Sequence, residues 1–390
     1  MTMSRRAAEG AKLMKMGLLK EAARELEAAL KQAPDDKEAL LGLARARLAK
    51  GDAAAARPLL QRLLKLAPGH AESLSHLARM RAEAGDSKAV DALRLLAKQP
   101  GAGFAEYYNL GYVLLNRGAN DEAAQAFVQA LKVVPQSGQA VTYLGVARER
   151  VGKLDEALKC YKVGANWAPR EHLPWALGAK LLVRMGKPDQ AVKVMKRAVQ
   201  RAPDNAELKA DYIRLCIFAG QPQEALTNVL DLRVKEPSSG QWAYLHGLVL
   251  LTSGDAKGAL PAFEAAVKAA PESWEAHLAL GKALGLLHRD TDARAAVERA
   301  HALAPTEPGP ANELATLELG SPSGAAKVRA LLGPVLEKHP DEPGANQNLA
   351  LAELKGDRAA ARRHAEKALA SPVPAIREQA QRLMKLLGAS

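Results

Sequence analysis

Cysteine, aromatic residues and long apolar runs are all scarce in this 390-residue chain. Cys160 and Cys216 are its two cysteines, which excludes a disulfide framework and any cysteine-held zinc or iron–sulfur centre. Aromatics make up 4% of the residues, too few for a large β-rich core. No stretch approaches the roughly 18 uncharged apolar residues of a transmembrane helix, so no membrane insertion is expected. The first residues carry Arg5 and Arg6 but no apolar core of a secretory leader. These absences point to a soluble protein of a reducing compartment, the cytoplasm, or the periplasm if a leader has been removed. With 48% hydrophobic and 25% charged residues, disorder along the whole length is excluded.

What is present is a period. Pro34, Pro68, Pro100, Pro135, Pro169, Pro203, Pro237, Pro271, Pro305, Pro340 and Pro374 are separated by 32 to 35 residues. A second series, Gly17, Gly51, Gly85, Gly118, Gly152, Gly186, Gly220 and Gly254, sits midway between the prolines. The residues between are helical in pattern. In 103–135, Tyr107, Leu110, Gly111 and Leu114 share one helix face, and Ala123, Phe127, Ala130 and Leu131 share another. Gly118 falls where a first helix must stop, because glycine reaches positive φ without strain. Asp121 and Glu122 follow at a helix start, where the dipole favours negative charge. Pro135 ends the second helix. Each unit therefore reads as helix–turn–helix, with small residues where its helices approach.

In this form the units resemble tetratricopeptide repeats. The match is Tyr107, Leu110, Gly111, Leu114, Ala123, Phe127, Ala130 and Pro135, and it recurs as Trp175, Gly178, Ala179, Leu182, Ala191, Met195, Ala198 and Pro203. The resemblance implies an all-α fold: a right-handed superhelix, or α-solenoid, of about eleven helical hairpins plus a C-terminal capping helix. The units fall near 3–34, 37–68, 71–100, 104–135, 138–169, 172–203, 206–237, 240–271, 274–305, 308–340 and 343–374. Residues 375–390 are the cap, with Ile376, Ala380, Leu383 and Leu386 on its apolar side. Departures from the pattern also carry expectations. His288 stands where the ninth unit's turn glycine belongs. Gly333-Pro334 inside the tenth unit's second helix should kink or break it, and Pro58 and Pro261 should distort theirs.

The formal net charge of +12 is uneven. Residues 1–200 hold a surplus of thirteen basic side chains, and residues 201–350 a deficit of five. A basic half suits nucleic acid or an acidic protein. With no Lys/Arg run longer than two and no RNP-like motif, an acidic protein partner is favoured over nucleic acid. The resemblance places first helices on the concave side. Its inward positions there are Arg79, Tyr108, Asn109, Tyr112, Asn116, Tyr143, Arg150, Lys180, Arg184, Asp211, Arg214, Phe218 and Tyr244. Four of the seven tyrosines fall in this set, and Tyr and Arg are enriched in binding hot spots. Such a groove suits a segment with acidic and apolar side chains. The carboxylate clamp of some family members is not expected, because no ninth position is asparagine.

No catalytic or cofactor chemistry is indicated. Gly281-Lys282-Ala283-Leu284-Gly285 lies inside a helix with no strand before it, so it is packing rather than a phosphate loop. The nine histidines are scattered, and Cys160 is expected to face outward beside Tyr161. The function expected is a non-catalytic interaction scaffold, with no cofactor or metal, and with self-association left open. The alternatives are a docking subunit of a bacterial secretion, motility or envelope machine, and a nucleic-acid-binding array.

Overall fold

The computed structural model describes residues 5–321 and 323–388, and these form 23 helices and no strands. The chain divides into two compact units, residues 1–208 and 209–390. In the first unit α1 (Arg5–Lys15), α2 (Leu19–Gln32), α3 (Lys37–Ala49) and α4 (Ala53–Leu66) make two hairpins. Four more follow: α5 (Ala71–Glu83) with α6 (Lys88–Lys98), α7 (Phe104–Asn116) with α8 (Asn120–Val133), α9 (Gly138–Arg150) with α10 (Leu154–Trp167), and α11 (Leu173–Arg184) with α12 (Pro188–Arg201). Helix α13 (Ala206–Phe218) carries the chain into the second unit and pairs with α14 (Pro222–Lys235). The hairpins continue as α15 (Gly240–Thr252) with α16 (Ala256–Ala269), and α17 (Trp274–Leu286) with α18 (Asp290–Leu303). The last two are α19 (Pro308–Glu318) with α20 (Gly324–Lys338), and α21 (Pro343–Glu353) with α22 (Arg358–Ala368). Helix α23 (Pro374–Gly388) packs on α22 and α21 and closes the second unit.

The turns explain the glycine series. Gly118 sits at φ 78°, and seven other mid-hairpin glycines share the left-handed region. There the chain folds back so that Ala119 N–H donates to Leu114 O at 2.9 Å and Gly118 N–H to Leu115 O at 3.2 Å. Carbonyls left open at the end of a helix are satisfied in this way. His288 takes the same conformation, at φ 56°, without the glycine. Asp36, Asp52, Asp255 and Asp357 cap second or first helices by accepting from backbone N–H groups of the following turn.

The break considered at Gly333-Pro334 does not occur. Helices α4, α16 and α20 run unbroken through Pro58, Pro261 and Pro334. All three rings lie on exposed positions, so the carbonyl each proline leaves without its helical donor faces water, while the opposite face stays packed. In α20 that face is Val328, Leu332 and Val335, each fully buried. Cys160 is also corrected: it is buried in a cluster with Val141 and Leu144 rather than facing outward. On α23 the buried side is Ala380, Leu383 and Leu387, and Leu386 is exposed.

In the first unit α1 packs on α3, α5 on α7 and α7 on α9, so the first helices form one layer, the one that the resemblance assigns to the inner side. One contact skips hairpins altogether: Arg170 Nη1, in the turn after α10, donates to Met16 O, in the turn after α1, at 2.6 Å.

Most hairpins close over a small residue. A side chain at Gly247 would place its Cβ 2.5 Å from Phe263, and at Gly111 3.0 Å from Phe127. Gly178, one position earlier in its own hairpin, would meet nothing nearer than 3.6 Å. Gly247→Ala should therefore cost about 1–3 kcal/mol by overpacking. Gly178→Ala should gain about 0.5–1 kcal/mol of helix propensity. Guanidinium unfolding midpoints of the two variants check this, and a neutral Gly247→Ala would show that the helices do not close as described.

Candidate functional site

The inner layer of the first unit brings five of the expected residues together. Tyr108 and Tyr112 lie one turn apart on α7, and Tyr143 reaches in from α9. The Tyr112 and Tyr143 rings meet edge to face at 5.4 Å, and Tyr108 and Tyr143 at 6.0 Å. Beneath them Phe127 stacks on Tyr143 at 6.0 Å, and Phe104 stacks on Tyr108 at 5.3 Å. Offset and edge contacts of this kind add roughly 0.5–1.5 kcal/mol each beyond burial. The guanidinium of Arg79, from α5, lies over the Tyr112 ring at 5.4 Å. Its Nη1 donates to Asn109 Oδ1 at 3.3 Å, and its Nε stands 3.5 Å from Glu83.

Asn109 is fully buried. Its amide donates to Ser75 Oγ at 2.9 Å and lies 3.1 Å from His76 Nδ1. His76 Nε2 stands 3.5 Å from Glu72, so the ring accepts at Nδ1 and donates from Nε2. Glu72 is gripped in turn by Arg45, whose Nε and Nη2 donate to its two oxygens at 2.6 and 2.5 Å. A polar chain thus runs from Arg45 on α3 through Glu72 and His76 on α5 to Asn109 on α7. Sequence reasoning missed its charged end. The two residues lie 27 positions apart on consecutive first helices, a separation that no pattern within one helix reveals.

The remaining expected residues lie apart from this cluster. Arg150 Nη1 donates to Leu115 O at 2.5 Å, tying α9 to α7. Arg184 pairs with Glu149, which also accepts from Tyr161 Oη at 2.6 Å. Asn116 and Lys180 are exposed at the surface of α7 and α11. In the second unit Arg214 pairs with Asp211 at 3.4 Å, Tyr244 rests on Phe263 at 6.2 Å, and Phe218 is 69% exposed. Much of the basic column is therefore engaged with neighbouring side chains and carbonyls.

Burial raises the phenols of Tyr108 and Tyr143 above the usual range; Tyr143 and Tyr112 add to the shift of Tyr108, Tyr112 adds to that of Tyr143, and Arg79 opposes both. These groups stay protonated at neutral pH. A cleft of about 430 Å³ elsewhere in the unit is lined by α8, α10 and the end of α9. Its central cation, Arg148, is already held by Glu156 at 3.4 Å. Among the described residues no group of three or more His, Cys, Asp or Glu is placed to hold a metal ion, and no helix is long and apolar enough to cross a membrane.

Glu72 supplies a pH test of the polar chain. Burial opposes its ionisation, but the hydrogen bonds from His76 and Arg45 win and hold it at about 2. A depressed carboxyl stabilises the fold above its unfolded value of 4.5, and that contribution disappears as pH falls towards 2. Glu72→Gln should cost about 1.5–3 kcal/mol at pH 7 and flatten the fall in stability below pH 4.5. Urea titrations of both proteins between pH 7 and 2 measure the difference, and parallel curves would count against the chain.

Sequence models of the tetratricopeptide repeat match residues 13–80 and 182–248, and a second such model matches 108–168 and 244–308. No curated protein matches the chain in sequence. Among solved structures, yeast Tom70 is similar over 98% of this chain and 95% of its own, at 12% identity and a TM-score of 0.53. A tetratricopeptide repeat protein from Parabacteroides merdae is similar over 73% of this chain and 98% of its own, at 16% identity and a TM-score of 0.50. At these identities the likeness speaks for the fold alone. The sequence matches, which together span more than half of the chain, show that it belongs to the tetratricopeptide-repeat family, whose fold serves as a scaffold for protein–protein interaction.

Proposed function

We propose that the first unit is a non-catalytic scaffold that receives a protein segment on its inner layer, across α5, α7 and α9. The observation that carries this reading is the convergence of Arg79, Tyr108, Tyr112 and Tyr143 on one face, each half-buried rather than enclosed. Half-buried aromatics over a rigid layer offer contact area at low entropic cost, because packing has already fixed their rotamers. The basic surplus of residues 1–200 adds attraction for acidic segments. Arg150 and Arg184 serve this reading mainly as braces, since their donors are spent on Leu115 and Glu149. Asn109 acts from below, by holding Arg79 in place.

The test is capture of the main partner from the source cell, identified by mass spectrometry, with defined variants of the full chain. Tyr112→Ala combined with Tyr143→Ala should weaken binding by about 2 kcal/mol or more, roughly thirtyfold. Lys162→Ala, on the outer surface of α10, should leave it unchanged. Melting of each variant separates lost binding from lost folding. Capture that persists in the double variant but fails when exposed Lys162 and Lys193 are both altered would move the binding surface to the second helices.

A further inference from the structure

The second unit holds two imidazoles whose surroundings admit only the uncharged ring. His246, partly buried, lies on α15 where that helix packs on α14. From α14, Arg233 places Nη1 2.9 Å from its Nδ1. A guanidinium only donates, so Nδ1 accepts and carries no proton. Charging the ring would set a second N–H and a second positive charge against that guanidinium. No carboxylate stands by to balance it among the described residues. Helix α15 itself has no Asp, Glu, Lys or Arg. On α14, Asp231 is taken by Lys209 and Lys235, and Glu224 by Tyr212. Glu236, at the end of that helix, accepts from Trp242, and Asp211 of α13 pairs with Arg214. The charges of α16 and α17, Lys257, Glu264, Lys268, Glu275 and Lys282, are exposed, and His277 lies against Pro271 O.

His301, on α18, reaches the same state by another route. Its Nδ1 is sealed from solvent and has no hydrogen-bond partner. A charged imidazole carries N–H on both nitrogens, so protonation would leave a buried donor unmet. The charges of α18 and its neighbours are matched elsewhere: Arg294 with Glu298 and Glu318, Arg299 with Glu272, Lys282 with Glu313, and Glu307 with Lys338. His364 differs. Burial, Lys367 and Arg363 disfavour its charge too, but its Nδ1 faces Asn346 Oδ1 at 2.8 Å. The Asn346 amide donates to Pro340 O and Glu342 O, so Nδ1–H is the donor there, and a proton added at Nε2 leaves that bond intact. We propose that His246 and His301 make the second unit acid-sensitive: a proton taken up by either ring loosens the stack from α14 to α18, in mildly acidic solution that leaves the first unit folded. Burial holds both rings below their usual value of 6.5, and Arg233 pushes His246 further down. The unfolded chain then binds more protons than the folded one below 6.5, so stability is full above that value and falls as pH drops beneath it. Each ring raises the opening constant by at most about tenfold per pH unit. In a stack each hairpin is held by its neighbours, so a joint that opens at α14 and α15 also weakens the hairpins on either side.

Hydrogen–deuterium exchange of the full chain tests this, read by mass spectrometry at about pH 7.5 and about pH 5.5 and corrected for the intrinsic exchange rate. Protection of residues 222–303 should fall at least about tenfold at the lower pH, and that of residues 104–167 by less than about threefold. In the double variant His246→Gln, His301→Leu, protection of 222–303 should stay within about threefold across the same change. Glutamine keeps an acceptor for Arg233, and leucine leaves no polar atom in the sealed site. Arg233→Gln keeps both rings and removes the cation, so it should recover about threefold of the protection lost at the lower pH. An equal fall in both units, no fall in 222–303, or a double variant that loses as much as the native chain would overturn the proposal. If the double variant is already open at the higher pH, Arg233→Gln decides, and a fall as large as the native one would overturn the part assigned to His246.

Discussion

The distance of closest approach between the two helices of a hairpin constrains everything else in the chain. One position of the first helix meets one position of the second, and the first is kept small: Gly10, Ala44, Ala78, Gly111, Gly145, Ala179, Gly247, Gly281, Ala315 and Ala350. The second is filled by Leu26, Leu60, Phe127, Tyr161, Met195, Phe263 or Val297, all nearly or fully buried. In the seventh hairpin the small position holds Ile213, and the opposite one shrinks to Val229, so the volume is shared differently. Close packing of this kind leaves little slack. It fixes the roll of each first helix, and therefore which of its residues reach the inner layer.

That roll explains why the inner layer is a braced surface rather than a loose display of charge. Neighbouring first helices lie near enough for side chains to span them, so Arg45 finds Glu72, Asn109 finds Ser75, Arg150 finds Leu115 O and Arg184 finds Glu149. Each bridge engages a polar group and adds stiffness to the surface. The groups left over near the centre are those of Arg79 and the tyrosines, which are oriented by the bridges around them. The second unit uses the same device with different residues: Asn348 reaches Asn312 Oδ1 at 3.3 Å, and Asn312 reaches Glu342 at 3.1 Å. Buried Glu318 and Glu353 each take an arginine from the preceding hairpin, Arg294 and Arg329.

The fold was legible in the sequence because its signals are local. Gly118 needs only its own φ to end a helix, and Pro135 only its own ring. The site was legible by face and not by partner. Helical spacing puts Asn109 and Tyr112 on one first-helix face, yet it cannot show that Asn109 is sealed beneath Arg79, because Ser75 and His76 come from 34 and 33 residues away. Cys160 failed for the same reason: its own helix suggests an outward face, and the cover comes from Val141 and Leu144 on α9. Pro334 failed in the opposite direction. A local rule forbids it, and the packing of Val328, Leu332 and Val335 overrides the rule.

The hydrogen bond from Arg170 to Met16 has a consequence for how the first unit comes apart. A stack in which every hairpin touches only its neighbours behaves as a one-dimensional chain, and its end hairpin can fray without cost to any distant member. This bond joins two turns 154 positions apart and makes a circuit of that chain. Loosening α1 then removes a partner from the turn that leads into α11, so the first and sixth hairpins share a small energetic term, about 0.5–1.5 kcal/mol for one such bond. The hairpins that carry the tyrosines lie on the arc between those two points. Opening at the N-terminal end of the unit thereby changes the boundary condition of the whole arc, as cutting a hoop relaxes the side opposite the cut.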